Sequence, residues 1–182
     1  MESTEHLKMS AERIGVVPFA PSLLLTDHRC LNVLHRCLGI MHPEEGCALL
    51  IGERNLTAPW RLSTVWPCCN AWKVNAEASA DTVQRCSRFA IDPREQIAAQ
   101  RWARKRECQM LGVAHSHPET SAQPSLHDRR WGEPERLMLI RSGQGELRAW
   151  WLGRHREIHP ITITTSIWDT QDHGEAAVSE CR

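Results

Sequence analysis

Apolar residues in this 182-residue chain arrive in short bursts, six at 47–52, five at 110–114 and four at 137–140. Bursts of that length bounded by glycine, proline or charge read as buried strands, and they fall far short of the roughly 20 apolar residues that a membrane helix needs. The chain is therefore expected to be built on a sheet and to span no bilayer. Two helical stretches lie between the bursts. From Leu31 apolar residues recur at 31, 34, 38 and 41, with Thr26 or Asp27 placed to cap the first free N–H groups, which predicts a helix over 27–41. His42-Pro43 ends it, because the residue before a proline is pushed out of the helical region. Asp92-Pro93-Arg94-Glu95 predicts a second start, with Asp92 as cap, Pro93 in the first helical position and Glu95 bonding back, and this helix runs to about 105.

The remaining order is strand at 47–51 stopped by Gly52, strand at 61–67, a long polar connection at 68–85, and strand at 110–114 leading straight to His115. A short helix near 126–132 follows Pro124-Ser125, and 137–140, 145–152 and 158–164 alternate like a closing meander. The sum is a mixed α/β (α+β) fold. Its length suits one domain, expected over 14–164 between polar tails at 1–13 and 165–182.

Lys plus Arg and Asp plus Glu balance at 22 each, so no net field draws the chain to nucleic acid or to an anionic membrane. The basic run Arg101, Arg104, Lys105 and Arg106 suits the negative end of a helix dipole and reads as a solvated helix end. The acidic N-terminus, with no apolar region following directly, is unlike a secretory signal, and a cytoplasmic location is expected. Cys30, Cys37, Cys47, Cys68, Cys69, Cys86, Cys108 and Cys181 contain no C-x-x-C pair, so they are expected to be reduced and, in several cases, to serve as small core residues.

The chemistry concentrates between His115 and Asp128, in the pattern H-x-H-x(7)-S-x-x-D. Side chains alternate along a strand, so His115 and His117 point to one side and reach the same ion. Asp128, from the next helical turn, supplies a third ligand. Three protein ligands leave zinc a fourth position for water, as in catalytic rather than structural sites. Ser125, three residues before Asp128, shares its helix face and would present a hydroxyl to an oxyanion. Hydrolysis also needs a carboxylate that takes a proton from water and passes it to the leaving amine. Glu44 and Glu45 both stand at the mouth of the buried 47–51 strand, and alternation lets only one of them face the site.

The ordered set P-x-E, a short apolar strand ending in glycine, H-x-H-P and P-S-x-x-D resembles the JAMM/MPN+ zinc metallopeptidase family, in its compact prokaryotic form, over about 30–164. Phe89-Ala90-Ile91-Asp92-Pro93 is similar to the segment leading into that family's second helix. The register of the resemblance, with Pro43 followed by Glu44 and Glu45, implies Glu45 as the general base and acid, Ser125 as oxyanion partner, and one zinc per chain on His115, His117 and Asp128. It implies a curved mixed sheet flanked by helices, a layered architecture similar to that of cytidine deaminases. It implies a hydrolase acting on a peptide or isopeptide bond at the C-terminus of a ubiquitin-like or sulfur-carrier protein. The chain departs from the family in Ala48, where glycine is commoner, and in its long 68–85 connection. The competing reading is a catalytically silent binding or scaffold module for the same partner. A zinc deaminase would want a C-x-x-C ligand pair that is absent.

Three further features receive plain readings. His127 diverges from Asp128 by about 100° on a helix and is not expected to share its ion. His28, His35 and His42 lie in or near the first helix without spaced partners. Trp150 and Trp151, adjacent on a strand, put one ring on each face, with core packing the expected role and an exposed, partner-gripping indole the alternative.

Overall fold

The protein is described from a computed structural model over residues 20–55, 59–73 and 85–165. The expected N-terminal tail, the C-terminal tail beyond Thr165 and residues 74–84 of the polar connection lie outside the described residues. The elements are β1 (Leu23–Thr26), α1 (His28–Gly39), β2 (Cys47–Glu53), β3 (Trp60–Cys68), α2 (Pro93–Arg104), β4 (Gln109–His117), α3 (Leu126–Trp131), β5 (Arg136–Ser142), β6 (Leu147–Leu152) and β7 (Ile158–Thr165). The architecture is the expected mixed α/β one, a large curved sheet with helices. No helix among the described residues is long and apolar enough to cross a membrane.

The strands run in the order β1-β3-β2-β4-β5-β6-β7, and the sheet closes because β1 pairs parallel to both β3 and β7. β4 and β5 are also parallel, with Ala114 opposite Leu139 and His115 opposite Ile140, while β2 lies antiparallel between β3 and β4. The last three strands form the antiparallel meander expected from their alternation. Closure removes the free edges that an open sheet would present.

Alternation along the strands divides the sheet into two faces with different contents. Ala48 and Leu50 of β2, Leu62 of β3, Leu111 and Ala114 of β4, Leu137 and Leu139 of β5 and Trp151 of β6 turn inward, where Cys30, Leu34 and Leu38 of α1 meet them. Burying each such leucine contributes about 1.5–3 kcal/mol. The opposite face of β2 and β4 carries Cys47, Leu49, Ile51, Met110 and Val113, covered by Ala99, Ala103 and Trp102 of α2. Gly52 lies at a register shift in β2, where an added Cβ would sit 1.9 Å from the Arg61 carbonyl oxygen.

The caps refine the sequence reading. Asp27, not Thr26, caps α1, its Oδ1 accepting from Cys30 N at 2.6 Å. Asp92 caps α2 by accepting from Arg94 N, but Glu95 does not bond back. Its Oε2 instead accepts from the Trp66 indole at 3.0 Å, tying α2 to β3. The basic end of α2 is exposed, and Arg106 stacks over Trp102 at 4.1 Å. Both paired tryptophans are core: Trp151 meets Trp60 edge-on inside, and Trp150 packs with Met138 and Ile140 outside. Cys30, Cys37, Cys47, Cys68, Cys86 and Cys108 are free thiols, whereas Cys69 is disulfide-bonded, which corrects the expectation of a fully reduced set.

Candidate metal centre

β4 does more than lead to His115; it continues through His117, so both imidazoles leave the strand on its outer face while Ser116 turns inward. His115 is fully buried and His117 and Asp128 nearly so. Their ligand atoms converge. Nε2 of His115 lies 3.0 Å from Nε2 of His117, and each lies 3.3 Å from an Asp128 carboxylate oxygen. Ligands 2.0–2.1 Å from a tetrahedral zinc stand about 3.3 Å apart along the tetrahedron's edges. These three side chains form a group that can hold a metal ion, and the separations fit zinc.

Supporting contacts orient the rings. His117 Nδ1 lies 3.0 Å from the Ser121 carbonyl, which fixes its proton on that nitrogen and turns the Nε2 lone pair toward the site. Trp150 Nε1 donates to the Ala122 carbonyl at 2.9 Å and so pins the same loop to the sheet. Among the described residues the buried His115 Nδ1 has no hydrogen-bond partner; its ring is held by stacking on Phe89 at 4.6 Å. Burial pulls the His115 pKa down. Burial also pulls on His117, but the Asp128 carboxylate and the Ser121 carbonyl outweigh it and the pKa rises. Burial pushes Asp128 up, yet the hydrogen bonds of both histidines and of Ser125 hold it far below the usual carboxylate range.

The two candidate carboxylates part company. Glu44 is 36% exposed at its side chain and faces Arg85 at 3.4 Å. Glu45 is 5% exposed and lies within the field of His117 and Asp128. Burial pushes its carboxyl up to about 8, with His117 opposing the rise and Asp128 adding to it. Its backbone is fixed at both ends: Glu45 N donates to the Arg85 carbonyl at 2.8 Å, and its own carbonyl accepts from Asn70 Nδ2 at 3.0 Å. One residue on, Gly46 N donates to Ser116 Oγ at 2.8 Å while Ser116 N donates back to the Gly46 carbonyl. Gly46 packs so closely on α1 that a Cβ would sit 2.8 Å from Leu38 Cα.

Ser125 and Asp128 are neighbours for a different reason from the one helical spacing gives. Ser125 is the extended N-cap of α3, and the pair forms a capping box: Asp128 N donates to Ser125 Oγ at 3.1 Å and Ser125 N to Asp128 Oδ2 at 2.7 Å. The cap uses an acceptor position of the hydroxyl and leaves its hydrogen available. Asp128 thereby uses one carboxylate for the cap and the histidines together. His127 turns away, its ring lying between Trp72 and Trp131 at 6.3 and 6.2 Å.

Two residues that the sequence pattern does not single out hold the site together. Ser116 is the middle of H-x-H, and alternation alone places it on the opposite face from the histidines, toward Gly46. Asn70 is buried with all its capacity used: Nδ2 donates to the carbonyls of Glu45 and Arg88, and Oδ1 accepts from Trp72 N and Ala90 N. It staples the described ends of the polar connection to the segment carrying Glu45. Nothing short of the folded contacts identifies it.

Residues 29–153 match the family described as Prok-JAB, prokaryotic homologs of the JAB domain. Among solved structures, protein DSY2949 from Desulfitobacterium hafniense is similar at 26% identity and TM-score 0.66, covering 79% of this chain and 93% of that one. A protein from Salinibacter ruber is similar at 28% identity and TM-score 0.56, covering 78% and 90%. A JAB1/MPN domain protein from Archaeoglobus fulgidus aligns at 16% identity and TM-score 0.45, covering 80% and 100%. No curated protein matches the chain. With its family match spanning both histidines, Asp128 and Glu45, the chain belongs to the prokaryotic branch of the JAB/MPN domain family.

Proposed function

We propose that this protein is a zinc-dependent metallopeptidase or isopeptidase that cleaves at the C-terminus of a ubiquitin-like or sulfur-carrier protein. The observation that carries the reading is the convergence of two imidazole nitrogens and one carboxylate at tetrahedral-edge spacing, beside a second, buried carboxylate. His115, His117 and Asp128 would hold one zinc, which when bound would supply a Lewis-acidic centre for activating water and polarising a carbonyl.

The chain's own residues do the rest. Glu45, with a pKa lifted toward neutrality by burial, takes the proton of the attacking water and hands it to the leaving amine. Its field from His117 and Asp128 keeps that pKa coupled to the state of the ligands. The Ser125 hydroxyl, fixed by the cap, donates its remaining hydrogen to the oxyanion of the tetrahedral intermediate. Phe89, stacked on His115, shields one side of the ligand set from water.

The test is incubation of zinc-reconstituted protein with a ubiquitin-like sulfur carrier bearing a C-terminal extension beyond Gly-Gly, with product mass as readout and a chelator as control. Chelator-sensitive cleavage after Gly-Gly is expected. Binding of the carrier without cleavage contradicts the peptidase and favours the silent recruitment module.

A further inference from the structure

We propose that Arg88 anchors a carboxylate of the substrate next to the bond being cleaved, and so selects substrates whose portion at that position is anionic. The proposal rests on the peptidase reading above and names a specificity determinant for the same site.

The Asn70 amide nitrogen that holds the Glu45 carbonyl also holds the Arg88 carbonyl, at 2.8 Å, so the backbones of the two residues share one clamp. The next residue, Phe89, stacks on the ligand His115. Arg88 is therefore built into the wall between Glu45 and the histidines. Arg88 as a residue is half-buried, and its charge acts on both Glu45 and His127, the neighbour of Asp128.

The guanidinium is also uncommitted. Of its five N–H donors, one goes to the carbonyl of its neighbour Ser87, and among the described residues it forms no ion pair, not even with Glu45. Its neighbour in the chain differs: Arg85, three positions earlier, is taken by Glu44 and the Trp72 carbonyl. A substrate carboxylate entering this mouth would find in Arg88 a cation with no carboxylate partner among the described residues, offering bidentate geometry. A neutral substrate would give it nothing to do.

Two sources present this chemistry, the terminal carboxylate of a short leaving piece and an acidic side chain. Three peptides separate them: acetyl-Gly-Gly-Ala with a free carboxylate, its C-terminal amide, and acetyl-Gly-Gly-Asp amide. Dissociation constants are measured by calorimetry on zinc-loaded protein carrying Glu45→Gln to stop turnover, alone and combined with Arg88→Gln or Arg88→Lys. At least one anionic peptide should bind roughly tenfold more tightly than the neutral amide. Arg88→Gln should bring that ratio to near one, and Arg88→Lys should retain part of it.

Equal binding of all three peptides overturns the proposal, as does failure of all three to bind. A preference that survives Arg88→Gln also overturns it, since the carboxylate is then held elsewhere. Failure of the peptidase reading shows separately, as absence of any cleavage by the unsubstituted protein, whatever the binding ratios.

Discussion

The same strands, β2 and β4, present two faces that obey different rules. Inward, Ala48, Leu50, Leu111 and Ala114 make an apolar layer against α1, with Ser116 bonded to Gly46 at its end. Outward, a position or two along the same strands, the chain buries two imidazoles at His115 and His117 with the carboxylates of Glu45 and Asp128 close by. Burying unpaired polar groups costs about 1–3 kcal/mol each, and charges cost more. A chain tolerates that on one face only where the groups compensate one another or hold something that does. The inner face supplies stability, and the outer face uses part of it to keep a constellation of titratable groups dry.

Asp128→Asn breaks the outer face most completely. It replaces the carboxylate shared by both histidines with a neutral amide, so zinc affinity should fall by roughly 10²-fold or more and turnover should disappear. Equilibrium dialysis against zinc at graded concentration reads the loss.

Glu45→Gln separates holding metal from using it. Zinc should remain while turnover drops by roughly 10²–10⁴-fold, the usual worth of a general acid–base group. Stability adds an independent readout. The folded carboxyl, pushed up to about 8, binds its proton more tightly than in the unfolded chain, so the stability linked to it is whole at low pH and is lost as pH rises toward 8. The glutamine variant escapes that loss. Denaturant titration with chelator present should show it level with the unsubstituted protein near pH 4 and more stable by about 1–3 kcal/mol at pH 9. A dead Glu44→Gln with a live Glu45→Gln would reverse the assignment.

How much of this was legible in the sequence follows the same division. The strands and helices at 47–53, 93–104 and 136–142 announced themselves through apolar bursts and caps, because local spacing specifies them. β1 did not: Leu23-Leu24-Leu25 shows no alternation and runs directly into the Asp27 cap, and its partners lie at Trp60 and Thr162. Nothing near it in the chain sets its pairing, so the closure of the sheet was invisible. The spacing of His115, His117 and Asp128 was readable because strand alternation is a local rule. Glu45 over Glu44 was not, since the choice depends on which residue the Asn70 and Arg85 contacts turn toward the histidines. The nearness of Ser125 to Asp128 was foreseen, but its cause is a capping box rather than a helix face.

The inner face has its own test. Leu50→Ala, at a fully buried position against α1, should cost about 2–5 kcal/mol while leaving zinc stoichiometry unchanged in the folded protein. Loss of zinc in that variant under native conditions would mean the two faces are not separable. Asn70→Ala makes the smallest change expected, a roughly tenfold fall in kcat with zinc retained, because the clamp positions Glu45 without touching the ligands.

The central claim is that the outer face is a zinc centre built by His115, His117 and Asp128. Metal analysis of purified protein after zinc reconstitution and removal of excess, alongside His115→Ala, tests it most directly. The account predicts one zinc per chain, lost in the variant. Substoichiometric zinc in the unsubstituted protein, or full zinc in His115→Ala, would contradict it.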